Sequence, residues 1–108
     1  MKLELIQALG RAAEGQTIGW IGNRWHEVSD DFQAADSICR SSAATIRRTN
    51  GAQEITFPNG GRILFLIPQR IRGLRLDRAY VPGGLADDAF IAVLPALATS
   101  KDGAVVYH

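Results

Sequence analysis

The chain has 108 residues, of which 46% are hydrophobic and 21% are charged, and its formal net charge is +1. These values predict one domain, residues 1–108, with a core of its own, and they argue against extensive disorder. A nearly neutral chain also lacks the strong overall positive charge that is typical of many nucleic-acid-binding proteins.

The cysteine count and the hydropathy pattern indicate the cellular compartment of the protein. Cys39 is the single cysteine, so the chain can form neither an internal disulfide nor a cysteine cluster for zinc. A lone thiol suits a reducing interior. The first residues do not follow the pattern of a signal peptide, and no apolar run approaches the length of a membrane span. We therefore expect a cytoplasmic protein with no membrane partner.

The first part of the chain predicts a helix, a strand and a second helix. The first helix is expected over residues 2–14, ahead of Gly15, and its apolar face would hold Leu5, Ile6, Leu9 and Ala13. Residues 17–22 predict a buried strand whose glycines indicate close approach of another backbone or of a packed helix. Asn23 is the predicted N-cap of the second helix, which should end near Arg40 and bury Trp25, Val28, Phe32 and Ala35.

No functional role is predicted for the polar and reactive residues of the second helix. Its acidic residues are expected to lie largely outside the buried face: Glu27, Asp30, Asp31 and Asp36. His26 has no second histidine at ligand spacing, so no metal site is predicted there. Cys39 falls on the buried face and is interpreted as a small apolar side chain rather than a nucleophile.

The centre of the chain predicts strands joined by a tight turn. Residues 45–48 are a candidate edge strand, ended by the turn signal Asn50-Gly51. Ile55 and Phe57 alternate with polar residues, a Pro-Asn-Gly-Gly turn follows at residues 58–61, and residues 63–67 are all apolar. The apolar run predicts a strand that is covered on both faces and therefore central in a sheet.

The remainder alternates loops, strands and a helix. Residues 69–73 are a predicted loop or short turn, residues 79–81 a second buried strand, and residues 85–98 a helix interrupted by Pro95. Asp87 and Asp88 complement the dipole of that helix. A turn at residues 101–103 leads to a last strand at residues 104–107. Alternating buried strands and amphipathic helices predict a three-layer α/β sandwich with a mostly parallel sheet and a β-hairpin.

A local basic stretch lies within the nearly neutral chain. Between residues 47 and 75 the sequence has six arginines and one acidic residue, Glu54. They are the candidate nucleic-acid-binding residues: Arg47, Arg48, Arg62, Arg70, Arg72 and Arg75. The competing interpretation is that these charges are merely solvated.

The order of these elements resembles the ATPase domain of large terminase subunits, the DNA-packaging motors of tailed phages. The matching features begin with a strand–helix unit at residues 17–39, a hairpin of the type I-x-F-x-N-G-S-x-I-x-F, which is I-T-F-P-N-G-G-R-I-L-F at residues 55–65, and an Arg-Gly pair at residues 72–73. They continue with a Walker B strand aligned on residues 76–81, a Leu-Pro-x-Leu segment at residues 94–97 and a strand at residues 105–107. The resemblance covers nearly the whole chain and implies a RecA-like fold.

The departures from that family bear on function. No G-x-x-x-x-G-K-[ST] sequence occurs in the chain, so no cradle for nucleotide phosphates is expected. The Asp-Glu pair that should end the Walker B strand, for Mg²⁺ and for activating water, is replaced by Pro82 and Gly83. A counterpart of the nuclease domain is not present in these residues. We therefore expect no catalytic residue, no cofactor, no metal and no ATPase activity.

Two functions stay open. The first is a non-catalytic, phage- or prophage-encoded protein in the cytoplasm of a bacterial host, which binds a packaging component or a host protein. The second is weak, non-specific DNA binding through the arginines named above, against which the net charge and the lack of aromatic platforms count. A folded product without function is a third reading. An enzyme of another class has the least support, because no Ser-His-Asp or Cys-His spacing occurs.

The resemblance also predicts self-association. In the family, the last strand pairs beside the P-loop strand, so without that strand it would lie at an exposed, apolar sheet edge. The residues expected at such an edge are Ala104, Val105, Val106 and Tyr107. A two-fold symmetric homodimer is one way of covering it, strand addition by a protein partner is another, and cover by the chain itself, for example by the hairpin, is a third.

Overall fold

The computed structural model describes residues 3–40, 42–49, 52–71, 74–84, 93, 95–97 and 104–108. Their elements are α1 (Leu3–Ala13), β1 (Thr17–Ile21), α2 (Trp25–Cys39), β2 (Thr45–Thr49), β3 (Ala52–Thr56), β4 (Arg62–Leu66), a 3₁₀ turn (Pro68–Arg70), β5 (Arg78–Val81) and β6 (Ala104–Tyr107). Residues 93 and 95–97 are helical. The predicted turns at residues 50–51 and 101–103, the Arg72-Gly73 pair and most of the helix predicted at residues 85–98 lie outside the described residues.

The strands form one six-stranded mixed sheet with the order β2-β3-β4-β1-β5-β6. β1 pairs in parallel with β4 and β5, and β5 pairs in parallel with β6. β3 is antiparallel to both β2 and β4, as the predicted hairpin requires. The all-apolar run places β4 in the interior of the sheet, and the candidate edge strand β2 is the outermost described strand on that side. Both predictions are confirmed.

The core has two halves, one on each face of the sheet. α1 and α2 cover one face, where Trp20, Phe32 and Tyr80 are the largest fully buried side chains. On the other face, Ile71, Leu76 and the helical residues Val93 and Ala96 pack against β1, β4 and β5. The predicted three-layer α/β sandwich is therefore confirmed.

The glycines of the first strand mark close approaches: Gly22 lies against Val28 of α2, the packed helix that the sequence predicts, whereas Gly19 in β1 lies against a side chain of a loop. A Cβ atom at Gly19 would lie 2.5 Å from Cδ1 of Leu76. Leu76 belongs to the connection between β4 and β5, which passes over β1 because β1 lies between those two strands. The glycine thus lets this connection lie flat on the sheet.

The turn of the β3–β4 hairpin packs on the C-terminal end of α1. Nδ2 of Asn59 donates to the carbonyl oxygen of Ala13 at 2.6 Å, and Oδ1 of Asn59 accepts from the backbone N–H of Gly61 at 3.0 Å. Gly15 ends α1 with a φ of 108°, the left-handed conformation that favours glycine. The hairpin therefore supplies a partner for a carbonyl that the helix leaves unsatisfied.

Two details of the helix predictions are wrong. α1 buries Leu5, Ala8, Leu9 and Ala12, while Ile6 is 50% exposed and Ala13 is also exposed. The alanines lie toward the sheet because their small side chains allow close packing. A prediction from the large apolar residues alone therefore places the buried face of α1 wrongly.

The second helix also starts later than predicted, and one acid lies inside. α2 begins at Trp25 with Arg24 rather than Asn23 at the N-cap, and no described side chain caps it. Asp36 is 4% exposed instead of solvated. Helical periodicity does not reveal this burial, because the partner that stabilises Asp36 is Arg48 of β2.

Candidate functional site

The carboxyl ends of β4, β1, β5 and β6 share one edge of the sheet, because these strands run in the same direction. In open α/β sheets, ligand sites lie outside the carboxyl ends of the strands. The residues that follow the four strands are Ile67, Gly22, Pro82 and His108, respectively. This edge is therefore the candidate functional site, by position in the fold.

At this edge, β5 ends without a carboxylate. Val81 is its last residue, and Pro82 and Gly83 follow, at the positions aligned with the Walker B acids. Neither side chain can bind a metal ion or accept a proton. The described residues contain no group of three or more His, Cys, Asp or Glu side chains that could hold a metal ion.

The acid nearest to β5 in sequence lies at the other end of the strand. Oδ2 of Asp77 accepts a hydrogen bond from the backbone N–H of Thr17 at 2.8 Å, and the backbone N–H of Asp77 donates to the carbonyl oxygen of Thr17 at 2.7 Å. The carboxylate thus joins the amino-terminal ends of β1 and β5. Asp77 is not placed to replace the missing acids.

His108 packs over the carboxyl ends of β1 and β5. Its backbone N–H donates to the carbonyl oxygen of Val81 at 2.9 Å, and its Nε2 lies 2.7 Å from the carbonyl oxygen of Ile21. The imidazole stacks on the indole of Trp20, with ring centroids 4.2 Å apart. Trp20 also stacks with Tyr80, with ring centroids 5.5 Å apart. Side chains of the protein itself therefore occupy this part of the edge.

Sequence reasoning missed this aromatic group. Nε1 of Trp20 donates to Oδ2 of Asp31 at 2.9 Å, although the sequence predicted a solvated Asp31. A signal was available, because a tryptophan in a buried strand needs an acceptor for its N–H. No comparable feature of the sequence predicted the position of His108.

The structure separates the candidate arginines rather than gathering them. Arg47 and Arg48 are neighbours in β2, so their side chains point to opposite faces of the sheet. On one face, Arg47 and Arg62 flank Glu54, with N–O distances of 3.9 and 3.5 Å. On the other face, Arg48 pairs with the buried Asp36, and its guanidinium lies 5.5 Å from the centre of the Phe32 ring.

The other candidate arginines lie in the connection between β4 and β5. Arg70 ends the 3₁₀ turn that follows β4, and Arg75 lies shortly before β5 begins; both are exposed. Arg72 lies outside the described residues. Among the described candidate arginines, Arg47 and Arg62 are brought together, and the acid Glu54 lies between them.

Cys39 behaves as the sequence predicts. It is buried in the core beneath α2. Burial raises the pKa of its thiol above the ordinary value. This burial favours the neutral thiol, in keeping with a small apolar side chain.

β6 is the outermost described strand beside β5. Val105 and Val106 are half-buried, whereas Tyr107 is 59% exposed. The strand thus has the position that the sequence predicts for it, and its part in self-association stays a prediction. No described helix is long and apolar enough to cross a membrane.

The sheet and its helices match solved structures of the large terminase from a thermophilic bacteriophage. One, in complex with ADP, has a TM-score of 0.67 at 15% sequence identity, over 95% of this chain and 29% of the terminase chain. Another has a TM-score of 0.70 at 12% identity, over 95% of this chain and 28% of that chain. No protein-family model and no curated protein matches. The predicted terminase-like fold is confirmed, and the chain spans less than a third of the terminase.

Proposed function

We propose that this protein is a phage- or prophage-encoded relative of the terminases that is not catalytic and acts by binding another protein, either a packaging component or a host protein. Support for the phage origin comes from the fold shared with the thermophilic bacteriophage terminase. The observation that carries the non-catalytic role is the pair Pro82 and Gly83 at the carboxyl end of β5.

The chemistry of phosphoryl transfer gives that observation its weight. Hydrolysis of ATP requires Mg²⁺ held by an acid and a base that orients the attacking water. Proline and glycine supply neither, and the adjacent acid Asp77 is bonded to Thr17 at the opposite end of the strand. A terminase-like sheet without these groups retains its surfaces, which leaves binding as the activity we expect.

Calorimetry tests the absence of nucleotide binding. Titration of millimolar ATP with Mg²⁺ into the protein should give no heat beyond dilution. The phage large terminase whose structure was solved with ADP is the positive control. A micromolar dissociation constant, equivalent to about 8 kcal/mol of binding free energy, would contradict the proposal.

The alternative function is weak DNA binding. Exposed Arg70 and Arg75, together with Arg72, are the observation that favours it. This alternative predicts a salt-dependent gel shift on duplex DNA that Arg70→Ala/Arg72→Ala/Arg75→Ala weakens equally for all sequences. The control Arg11→Ala/Arg24→Ala/Arg40→Ala removes the same charge elsewhere and should leave the shift in place. Equal loss in both variants would assign the shift to net charge alone.

A further inference from the structure

β2 leaves one of its sides open to a further strand. It is the outermost described strand of the sheet on that side, and it pairs with β3 over its five residues, Thr45–Thr49. Within the described residues, no other hydrogen bond reaches the backbone of β2. Every second residue of such a strand directs its N–H and C=O groups outward, where another strand can pair with them. We name this outer side of β2 the β2 edge.

Arginines flank the β2 edge on both faces of the sheet. Arg47 and Arg48 are consecutive, so their side chains lie on opposite faces. Each of them contacts an acid that a second arginine also contacts. The two sets are Arg47, Glu54 and Arg62 on one face, and Arg48, Asp36 and Arg40 on the other. On each face, two positive charges thus share one negative charge, which leaves an excess of positive charge on both sides of the β2 edge.

The arginines at the β2 edge are exposed, whereas the acids are covered. The side chains of Arg47 and Arg48 are 66% and 54% exposed, and those of Glu54 and Asp36 are 13% and 6% exposed. A molecule that approaches the β2 edge therefore meets guanidinium groups. Charged side chains on an edge strand discourage pairing with a strand of like charge. They select against a second copy of β2, which would bring two further arginines, and they favour a strand of opposite charge.

The positions of the two arginines define the sequence that fits the β2 edge. Side chains that lie opposite each other on paired strands share a face, with their Cβ atoms about 5 Å apart. A strand that pairs with β2 therefore needs one acid on each face, and consecutive residues of a strand supply this. A nucleic-acid backbone has phosphates but no peptide groups, so it cannot continue the ladder of hydrogen bonds. The complementary ligand is thus an extended peptide with two consecutive acidic residues.

From these features we propose that the β2 edge binds an extended acidic segment of a protein partner. The segment adds to the sheet as a further strand and places two consecutive acids beside Arg47 and Arg48. This inference rests on the proposed function, because it names the surface and the chemical class of the partner. It stands apart from the prediction for β6, which lies at the opposite end of the sheet. Because β2 has five residues, the isolated segment should bind weakly.

Titration of the whole chain with end-capped peptides up to about 1 mM, followed by nuclear magnetic resonance, tests the surface. The peptide Thr-Val-Glu-Glu-Val-Thr should bind and should shift the amide signals of Ile46, Arg47 and Arg48 more than those of β6. The matched control Thr-Glu-Val-Glu-Val-Thr has the same composition but places both acids on one face. Its dissociation constant should be at least about threefold higher. Lysines in place of both glutamates should abolish binding.

A charge exchange at Arg47 tests the pairing between the strands. Arg47→Glu should lose the Glu-Glu peptide, and a peptide with either Lys-Glu or Glu-Lys at its centre should restore binding. The order that restores it reveals the direction of the added strand. If Arg47→Glu does not fold, Arg47→Gln removes the charge without placing an acid beside Glu54, and should raise the dissociation constant about threefold. The control Arg75→Glu makes the same charge change at an exposed position and should leave binding in place.

Several outcomes would overturn the proposal. They are no binding of the Glu-Glu peptide up to about 1 mM, equal binding of the two glutamate peptides, and shifts confined to β6. Duplex DNA that shifts the β2 signals more than the peptide does would also overturn it and assign the edge to a nucleic acid. If ATP gives no heat and no peptide binds, the β2 edge is rejected alone. If ATP and the peptide both bind, the proposed function is rejected and the β2 edge is kept.

Discussion

Asp36 and Arg48 form an ion pair whose two members differ in burial. The Asp36 side chain is 6% exposed, whereas that of Arg48 is 54% exposed. A second arginine, Arg40, lies at 3.8 Å from the carboxylate. The pair joins α2 to the edge strand β2. The Asp36 carboxylate needs its partner more than the Arg48 guanidinium does, because water can hydrate the guanidinium but hardly reaches the carboxylate.

This asymmetry predicts unequal effects on stability. Arg48→Met keeps an unbranched apolar side chain but leaves the buried Asp36 carboxylate with only the longer contact to Arg40. It should lower the free energy of unfolding by about 1–3 kcal/mol. Asp36→Asn leaves a hydrated arginine and should cost less. Urea unfolding of both variants measures the difference.

The neighbouring arginine is the control for this comparison. The Arg47 side chain is 66% exposed and lies 3.9 Å from Glu54. Arg47→Met should cost less than Arg48→Met, because the Glu54 side chain is 13% exposed rather than 6% and Arg62 still lies 3.5 Å from its carboxylate. If Asp36→Asn proved more damaging than Arg48→Met, the burial argument would be wrong.

Among the elements, the contact between the β3–β4 turn and α1 depends on a glycine. A Cβ at Gly61 would overlap the carbonyl oxygen of Ala12 and lie 2.7 Å from Cα of Gly15. Both neighbours are backbone atoms, so neither can rotate away as a side chain would. The Asn-Gly-Gly part of the hairpin pattern thus has a packing role as well as a turn role.

Gly61→Ala should therefore force the hairpin away from α1. We expect a loss of about 1–3 kcal/mol, the usual cost of overpacking, seen as a lower urea midpoint. Gly83→Ala is the matched control, because a Cβ there would meet no atom within 4 Å. Equal midpoints for the two variants would show that the turn moves freely on the helix.

For the whole molecule, local patterns predicted the fold well. Alternation around Pro-Asn-Gly-Gly revealed the β3–β4 hairpin, and the unbroken apolar run of β4 revealed an interior strand. Gly19 indicated a close approach that the connection through Leu76 makes. Each of these features depends on backbone conformation or on burial, which few neighbouring residues determine.

Contacts between side chains of distant elements, at the candidate site and elsewhere, were mostly beyond the sequence. His108 stacks on Trp20 although the two residues are far apart in the chain, and Asp36 meets Arg48 across a helix–sheet boundary. Such pairs depend on how completed elements come together in space, and a single sequence contains no record of that pairing. The arginines cluster in the sequence but not in the structure for a related reason, because alternate residues of a strand point to opposite faces of the sheet.

The place of β1 has a consequence for the order of folding. β1 is the first strand of the chain, but its neighbours in the sheet are β4 and β5, which begin at Arg62 and Arg78. During synthesis, an apolar segment that contains Trp20 must wait until β4 has been made before its first ladder partner exists. Closing that long loop is slow, because the strands gain free energy from pairing only after the entropic cost of loop closure has been overcome. The central strand would thus leave the ribosome unpaired, which makes early association with a chaperone or with another chain a hazard of this topology.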